Sequence, residues 1–326
     1  MAKQQISIYI EDSAIYVMSS KGRQPQKWAK MELTKGLVEE GVIKDQSAVA
    51  LKVKELLQTT KIRGKQVACA ISGVNCLYHL ITLPELPEEL VGEAITREAS
   101  QSLGISVNEV YLSWQVLAVD RGQMRIYLTA MSHELVDSMV LTLQQAGLKP
   151  NVMDIKPLCL ARASSEPRAI IVDTRPSGFD VVVLANGIPE VIRSLPVPEE
   201  ASESEHTALV KAEMDRAVVF YNSAHMDAPI DLGVPILVSG GIASREDAWD
   251  VLRGPRERPL QPLIPNVEER DGFMASEYMT NIGLALKEVF EDEEGVVANS
   301  IVNFNALPAK YLPRKLKWTE MAWLPT

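Results

Sequence analysis

Apolar and turn-forming residues alternate most clearly over residues 168–198. A β-branched run at 169–172 precedes Pro, Ser and Gly within 175–178, and a second apolar run covers 181–184. Asn186-Gly187 is a hairpin signal because both residues accept positive φ, and 191–195 returns. The pattern predicts three short strands joined by two turns. The same plan opens the chain: 6–10, a polar turn at 11–13, 15–18, a turn at 21–23, and a third strand near 28–33. Two copies of one β-meander predict duplicated α/β domains facing each other as a clamp. Each first turn then points into the cleft.

Between the meanders the period changes. Residues 45–60 carry Val49, Val53, Leu56 and Leu57 at helical spacing, with Asp45 or Ser47 placed as N-cap. Strands are predicted at 66–71 and 76–82. The Pro-containing stretch 82–87 breaks the sheet, and Pro87 suits the first turn of a helix running to about 103, ended by Gly104. Strands at 109–119 and 124–130 meet at Asp120-Arg121-Gly122. Ser132 caps a helix to 146 that buries Leu135, Met139, Val140 and Leu143, and Gly147 stops it. A strand at 149–155 closes an α-β-β-α-β pattern over about 84–155, which reads as a subdomain inserted into the first domain. A short helix at 157–163 connects onward.

Beyond the second meander, 199–205 reads as a polar loop, 208–222 as a helix and 235–238 as a buried strand. Ser239-Gly240-Gly241 follows, then a helix near 245–252. The Pro- and Arg-rich stretch 253–265 reads as an exposed loop. A last helix, 276–290, has Gly283 and Ala285 for close packing across the domain junction, and the acidic residues of 288–294 read as a solvated end. The predicted divisions are 1–166, 167–275, a junction helix 276–292 and a tail 293–326.

Composition narrows the function. The 326 residues are 46% hydrophobic and 23% charged, enough for two soluble domains with their own cores. Cys69, Cys76 and Cys159 form no CxxC pair, and Cys69 and Cys159 sit in apolar runs, so buried free thiols are expected. The histidines are scattered, with no HxH or HxxxH pair to hold a metal. No Ser–His–Asp or Cys–His arrangement and no GxxxxGK[ST] motif is legible. No apolar run reaches the roughly 18 residues of a membrane helix, so a cytosolic compartment is expected. A net charge of −10 argues against nucleic acid as partner, since phosphate neutralisation supplies most of that affinity.

Several phrases resemble one family. ITLPELPEELVGEAITREASQSLGISVNEVYLSWQVL (81–117), QQAGLKPNVMDIKP (144–157), VDTRPSGFDVVVLANGIP (172–189), EMDRAVVFY (213–221), LVSGGIAS (237–244) and NIGLALK (281–287) follow in the order found in the PilM family of type IV pilus assembly proteins. That family has the actin-like fold related to cell-division FtsA. The resemblance implies a two-domain clamp with an inserted subdomain, peripheral at the cytoplasmic face of the inner membrane. There it implies binding of the N-terminal peptide of the membrane protein PilN, serving a pilus or a related type II secretion-like assembly; it also admits self-association.

The resemblance further implies where a nucleotide would sit. Actin-like proteins hold phosphates on the two meander turns, where small residues let backbone N–H groups form an anion nest. Here Asp12, Ser13, Asp173, Arg175, Glu213, Ser239, Gly240 and Gly241 fall on the matching positions. However, Tyr9 stands in place of the expected Asp, Glu11 in place of a Gly, Tyr16 in place of a Lys, and Arg175 in place of a Gly. A Glu11 carboxylate about 5 Å from a phosphate charge costs roughly 3 kcal/mol at an effective dielectric near 20. An Arg175–Glu11 ion pair across an empty cleft is expected. Loss of the Asp and Lys together removes metal placement and charge neutralisation, so ATP is expected to bind weakly and Mg²⁺ only with it. Ser239-Gly240-Gly241 reads either as an inherited strand-to-helix turn or as an adenine platform. An active ATPase or sugar kinase of the same fold is the alternative reading.

In the tail, Phe304, Asn305, Ala306, Leu307 and Pro308, followed by Lys310, Arg314, Lys315 and Lys317, resemble the INLLP-plus-basic segment that opens PilN. The same stretch also reads as a disordered basic tail. A membrane span beginning near Trp323 would suit the first reading. On it, 302–308 docks as an extended segment beside the insert, in cis or from a neighbouring molecule, with Phe304 and Leu307 as anchors.

Overall fold

The computed structural model describes residues 4–292 and 300–312, except 103, 105 and 256. The first lobe opens on the antiparallel meander β1 (Gln4–Ile10), β2 (Ala14–Lys21) and β3 (Gln24–Glu32). Strand alternation puts Ile8, Ile10, Ile15 and Val17 into the lobe's core and Tyr9, Ala14 and Tyr16 on the opposite face. A small hairpin, β4 (Val38–Glu39) and β5 (Val42–Ile43), leads to α1 (Gln46–Thr59), capped by Asp45 accepting from the Ala48 amide at 2.9 Å. β6 (Gln66–Ile71) then pairs parallel with β1.

The insert comprises β7 (Cys76–Pro84), α2 (Glu88–Ser102), β8 (Val110–Asp120) and β9 (Gln123–Ser132), in a sheet of order β7-β9-β8. Ile81, Leu83, Ile95, Ala99, Ile126 and Leu128 form its own core. The expected boundary of 84–155 is corrected at both ends. β7 is part of the inserted sheet: Ile81 and Leu83 lie under α2, while Cys76, Tyr78 and Leu80 turn toward the first lobe. By contrast, α3 (His133–Gln145) and β10 (Lys149–Ile155) belong to the first lobe. The inserted sheet already has α2 on it, so the apolar face of α3 is buried instead with α1 in the lobe's core. β10 extends the first sheet, whose order is β10-β6-β1-β2-β3.

α4 (Lys156–Ala163) is buried at every residue and leads into the second lobe. There β11 (Ala169–Arg175), β12 (Gly178–Ala185) and β13 (Ile188–Pro196) form the second meander, and Asn186 and Gly187 take φ of 52° and 75° in its turn, as the sequence predicts. α5 (Glu203–Ala224) begins inside the expected loop because Ser202 and Glu205 form a capping box. β14 (Ile236–Gly240), a 3₁₀ turn at Gly241–Ser244 and α6 (Glu246–Arg253) follow. β15 (Leu260–Pro262) is a strand where a loop was expected; among the described residues it pairs with β14 alone, an edge position that tolerates Pro262. The second sheet, β13-β12-β11-β14-β15, repeats the plan of the first.

α7 (Met279–Asp292) returns to the junction and crosses α4 at Gly283. A Cβ there would lie 2.2 Å from the Cys159 carbonyl oxygen, so only glycine permits the crossing. Met18, Leu160, Ile171, Leu184, Ile282 and Leu286 form one apolar cluster joining both sheets around it. Cys69 and Cys159 are buried free thiols, as expected. The side chains of the acidic end at 288–294, and the tail beyond 312 with Arg314, Lys315, Lys317 and Trp323, lie outside the described residues.

Candidate functional site

Two places collect the residues singled out in the sequence. The first is the cleft between the meander turns. Asp173, Arg175, Lys156, Asp180 and Glu11 are all buried there. Lys156 Nζ lies 2.6 Å from Asp173 and 2.7 Å from Asp180. Arg175 Nε donates to Asp173 at 3.1 Å, and its Nη1 donates to the Glu277 carbonyl at 3.0 Å. Ser239 and Ser194 hydroxyls donate to Asp173 and Asp180 respectively. The expected Arg175–Glu11 ion pair is corrected. Asp173, two residues back on the same face of β11, takes the guanidinium, while Glu11 accepts from the Ser13 and Tyr16 hydroxyls, each at 3.1 Å. The guanidinium rests 5.2 Å from the Tyr16 ring centroid.

The electrostatics follow from this closure. Burial works against the Asp173 carboxylate, but Arg175 and Lys156 hold it down at about 2. Burial likewise opposes the Lys156 charge, and Asp173 and Asp180 outweigh it, pushing that ammonium well above its usual value. Burial pushes the Tyr9 phenol up, so it stays neutral. The space left among Tyr9, Glu11, Lys156, Arg175 and Asp180 is about 30 Å³, room for one or two waters. Outside it the cleft mouth opens to about 700 Å³ between Leu33, Val38, Lys44 and Val197.

The remaining nucleotide candidates are also engaged. Asp12 accepts from the Glu40 and Gly41 amides, both at 2.8 Å, bracing the β4–β5 turn. Gly240 has φ 69°, and a Cβ there would meet the Thr174 carbonyl at 2.1 Å. Its amide donates to Ser276, and the Ile242 amide, just past Gly241, donates to Thr174 Oγ1. Glu213 is buried away from this cluster, holding Arg193 at 3.0 Å and Arg216. A separate cavity of about 380 Å³ lies between the 174–176 turn, α5 and the 3₁₀ turn, lined by His206, Thr207, Val210, Gly241 and Ile242. Sequence reasoning missed Lys156 and Asp180. The available signal was that Lys156 and Arg162 are the only charged residues of an otherwise apolar helix.

The second place is a groove along the outer edge of β10, where residues 300–312 lie. Val302, Ala306 and Leu307 enter the first lobe's core, while Phe304 is half-buried, so Val302 takes the anchoring depth expected of Phe304. Asn305 stands in for a strand: its Oδ1 accepts from the Met153 amide and its Nδ2 donates to the Asn151 carbonyl, both at 2.9 Å. The Ala306 amide adds a main-chain bond to Met153 at 2.9 Å. From β8, Gln115 brackets the segment, donating to Ile301 and accepting from the Asn303 amide. Pro308 opens a 3₁₀ turn at Ala309–Tyr311.

Charge lies under this segment. Asp154 is buried between Arg162 at 2.8 Å and Lys287 at 3.1 Å. Burial opposes the carboxylate, but the two cations hold its pKa down. One carboxylate cannot serve two cations fully, and burial lowers the Lys287 pKa despite Asp154. The segment supplies the missing acceptors: Val302 O to Arg162 at 3.3 Å, and Asn303 Oδ1 and Phe304 O to Lys287.

Two lobes with the same meander-plus-parallel-strand plan, a shared helical junction and a cleft between the first turns define an actin-like fold. The family model for type IV pilus assembly protein PilM matches residues 11–187, and the chain belongs to that family. Among solved structures, the PilM-PilN type IV pilus biogenesis complex superposes with a TM-score of 0.72 at 20% identity, over 89% of this chain and 99% of that one. The cytoplasmic domain of EpsL, an inner-membrane component of the Vibrio cholerae type II secretion system, gives 0.52 at 7% identity over 95% and 100%. Ethanolamine utilization protein EutJ from Carboxydothermus hydrogenoformans gives 0.50 at 15% over 88% and 90%. At these identities the likeness is one of fold. No curated protein sequence matches significantly.

Proposed function

We propose that the protein is a scaffold of a type IV pilus or related secretion platform that binds a PilN-type membrane protein through its extended N-terminal segment. The groove beside β10 is the binding site, and residues 300–312 occupy it as a segment of the same kind. The observation that carries this reading is the seating of that segment, with Val302, Ala306 and Leu307 in the core and Asn305 on the strand edge. The placement is peripheral, at the cytoplasmic face of the cell membrane; among the described residues no helix is long and apolar enough to cross one. A labelled peptide of residues 300–312 tests the site. Releasing the chain's own segment with Val302→Ala and Leu307→Ala should strengthen capture of the added peptide at least fivefold, since a tethered competitor acts at millimolar effective concentration. Equal capture by parent and variant would put the groove elsewhere.

On the same reading the cleft is a structural joint. Lys156 and Arg175 neutralise its carboxylates from within, and the inner space among them, about 30 Å³, is far short of a phosphate group, although the mouth outside it is wide. The turn residues do not fit a Mg-ATP complex: the buried phenols Tyr9 and Tyr16 offer neither the carboxylate nor the ammonium that metal placement and charge neutralisation need. Calorimetry with Mg-ATP should show no binding tighter than high micromolar and no turnover. The alternative, an active ATPase or sugar kinase, draws on the 380 Å³ cavity beside Gly241, which is within the size range of ligand pockets. Tight ATP binding with steady hydrolysis would establish that alternative.

A further inference from the structure

Past Leu307 and Pro308 the segment makes one more contact, of a different kind. Lys310 Nζ lies 3.2 Å from Asp137 of α3, 4.8 Å from the ring centroid of Tyr111 of β8, and 4.7 Å from the ring of its own neighbour Tyr311. Tyr111 and Tyr311 both donate their hydroxyls to Asp137 Oδ1, at 2.9 and 2.7 Å. The ammonium thus sits between two ring faces with a carboxylate at its head, and both rings are fixed by that same carboxylate. Tyr111 is further held by the His133 ring at 4.1 Å. Burial opposes the Asp137 charge, but the Tyr311 and Tyr111 hydroxyls and Lys310 outweigh it and keep the carboxyl below its usual range. Ala309, one residue earlier, is exposed.

We propose that Asp137 and Tyr111 form a lysine clamp that selects the occupant of the groove. This rests on the reading that the groove takes an extended segment, and it adds what that segment must carry. The occupant is a peptide with a lysine two residues beyond the proline and an aromatic residue after that. The apolar anchors and Asn305 set the register, and the clamp checks charge and spacing at its far end. A compact ammonium suits the slot because it presents its charge to both rings and still reaches the carboxylate.

The test uses the full chain and reads amide hydrogen exchange at Asn303 and Ala306, whose N–H groups donate to Gln115 and to the Met153 carbonyl in the groove. Lys310→Ala and Asp137→Asn should each speed exchange there several-fold, up to about tenfold, the combined scale of one exposed ion pair and the single cation–π contact, with Tyr111, that crosses to the groove. The double variant should add little to either. Moving the lysine one residue earlier, with Ala309→Lys and Lys310→Ala together, keeps net charge and should not restore protection. Unchanged exchange in Lys310→Ala, or full protection in the shifted variant, overturns the clamp alone. Free exchange at these amides in the parent chain overturns the groove reading and the clamp with it.

Discussion

Replacing Lys156 with Met removes the cation that two buried carboxylates share, at nearly constant side-chain volume. Asp173 keeps Arg175 and the Ser239 hydroxyl, whereas Asp180 keeps, among the described contacts, the Ser194 hydroxyl. Taking one partner out of a buried ion pair costs ~3–5 kcal/mol because a charge is left without compensation. The Lys156→Met variant should therefore lose about 4 kcal/mol at neutral pH, read as the urea midpoint of far-UV circular dichroism. A second substitution, Asp180→Asn, removes the stranded charge and should recover more than half of the loss. The sign of the pH dependence is fixed by the folded-state shifts. The Lys156 pKa is raised, so its contribution is whole below the ordinary lysine value and is lost as pH rises through the folded one. A loss under about 1 kcal/mol, the scale of a surface ion pair, would show that Lys156 is solvated and the cleft open. Failure of Asp180→Asn to recover stability would show that the loss came from packing.

Further outcomes follow from the same geometry. Asp173 is held at about 2, so its contribution of ~2 kcal/mol is present above the ordinary carboxylate range and vanishes as pH falls from about 4 toward 2. In an acid titration of stability, Asp173→Asn should flatten that step. Gly283→Ala drives a methyl into the Cys159 carbonyl and should cost about 1–3 kcal/mol, seen as a lowered melting temperature. Asn305→Ala removes two bonds to the β10 edge, worth about 1 kcal/mol each, and should raise exchange at the Met153 amide several-fold with little change in global stability.

The repeated meander was legible because period-2 alternation and Asn186-Gly187 are local signals. The junction crossing was legible for the same reason: Gly283 stands out in an apolar helix. Insert boundaries were less so, since an amphipathic helix such as α3 does not say which sheet will cover it. β15 was hidden because an edge strand tolerates the Pro residues that read as loop. At the cleft, Tyr9, Glu11 and Arg175 were found by departure from a motif, but Lys156 and Asp180 are brought together only by tertiary packing. Arg175 took the carboxylate nearest on its own strand, a choice between Asp173 and Glu11 that residue types alone leave open. In the groove, alternation located the segment but ranked Phe304 above Val302 by size. The smaller residue lies deeper: Val302 is fully buried in the first lobe's core, and Phe304 packs against its rim.

α4 is charged only near its two ends. Lys156 anchors one end to Asp173 and Asp180, and Arg162, six residues on and about 9 Å along the axis, anchors the other to Asp154 and the Val302 carbonyl. A helix pinned by buried ions at both ends cannot slide or rotate to absorb a change at either. Sequence drift through such a position has to preserve the balance of buried charge. In relatives of this chain, loss of the lysine at 156 should coincide with a neutral residue at 180, whereas loss of the arginine at 162 leaves Asp154 paired with Lys287 and should be found with the aspartate kept. Relatives that keep the aspartate at 180 without that lysine should be found where a different cation has moved in.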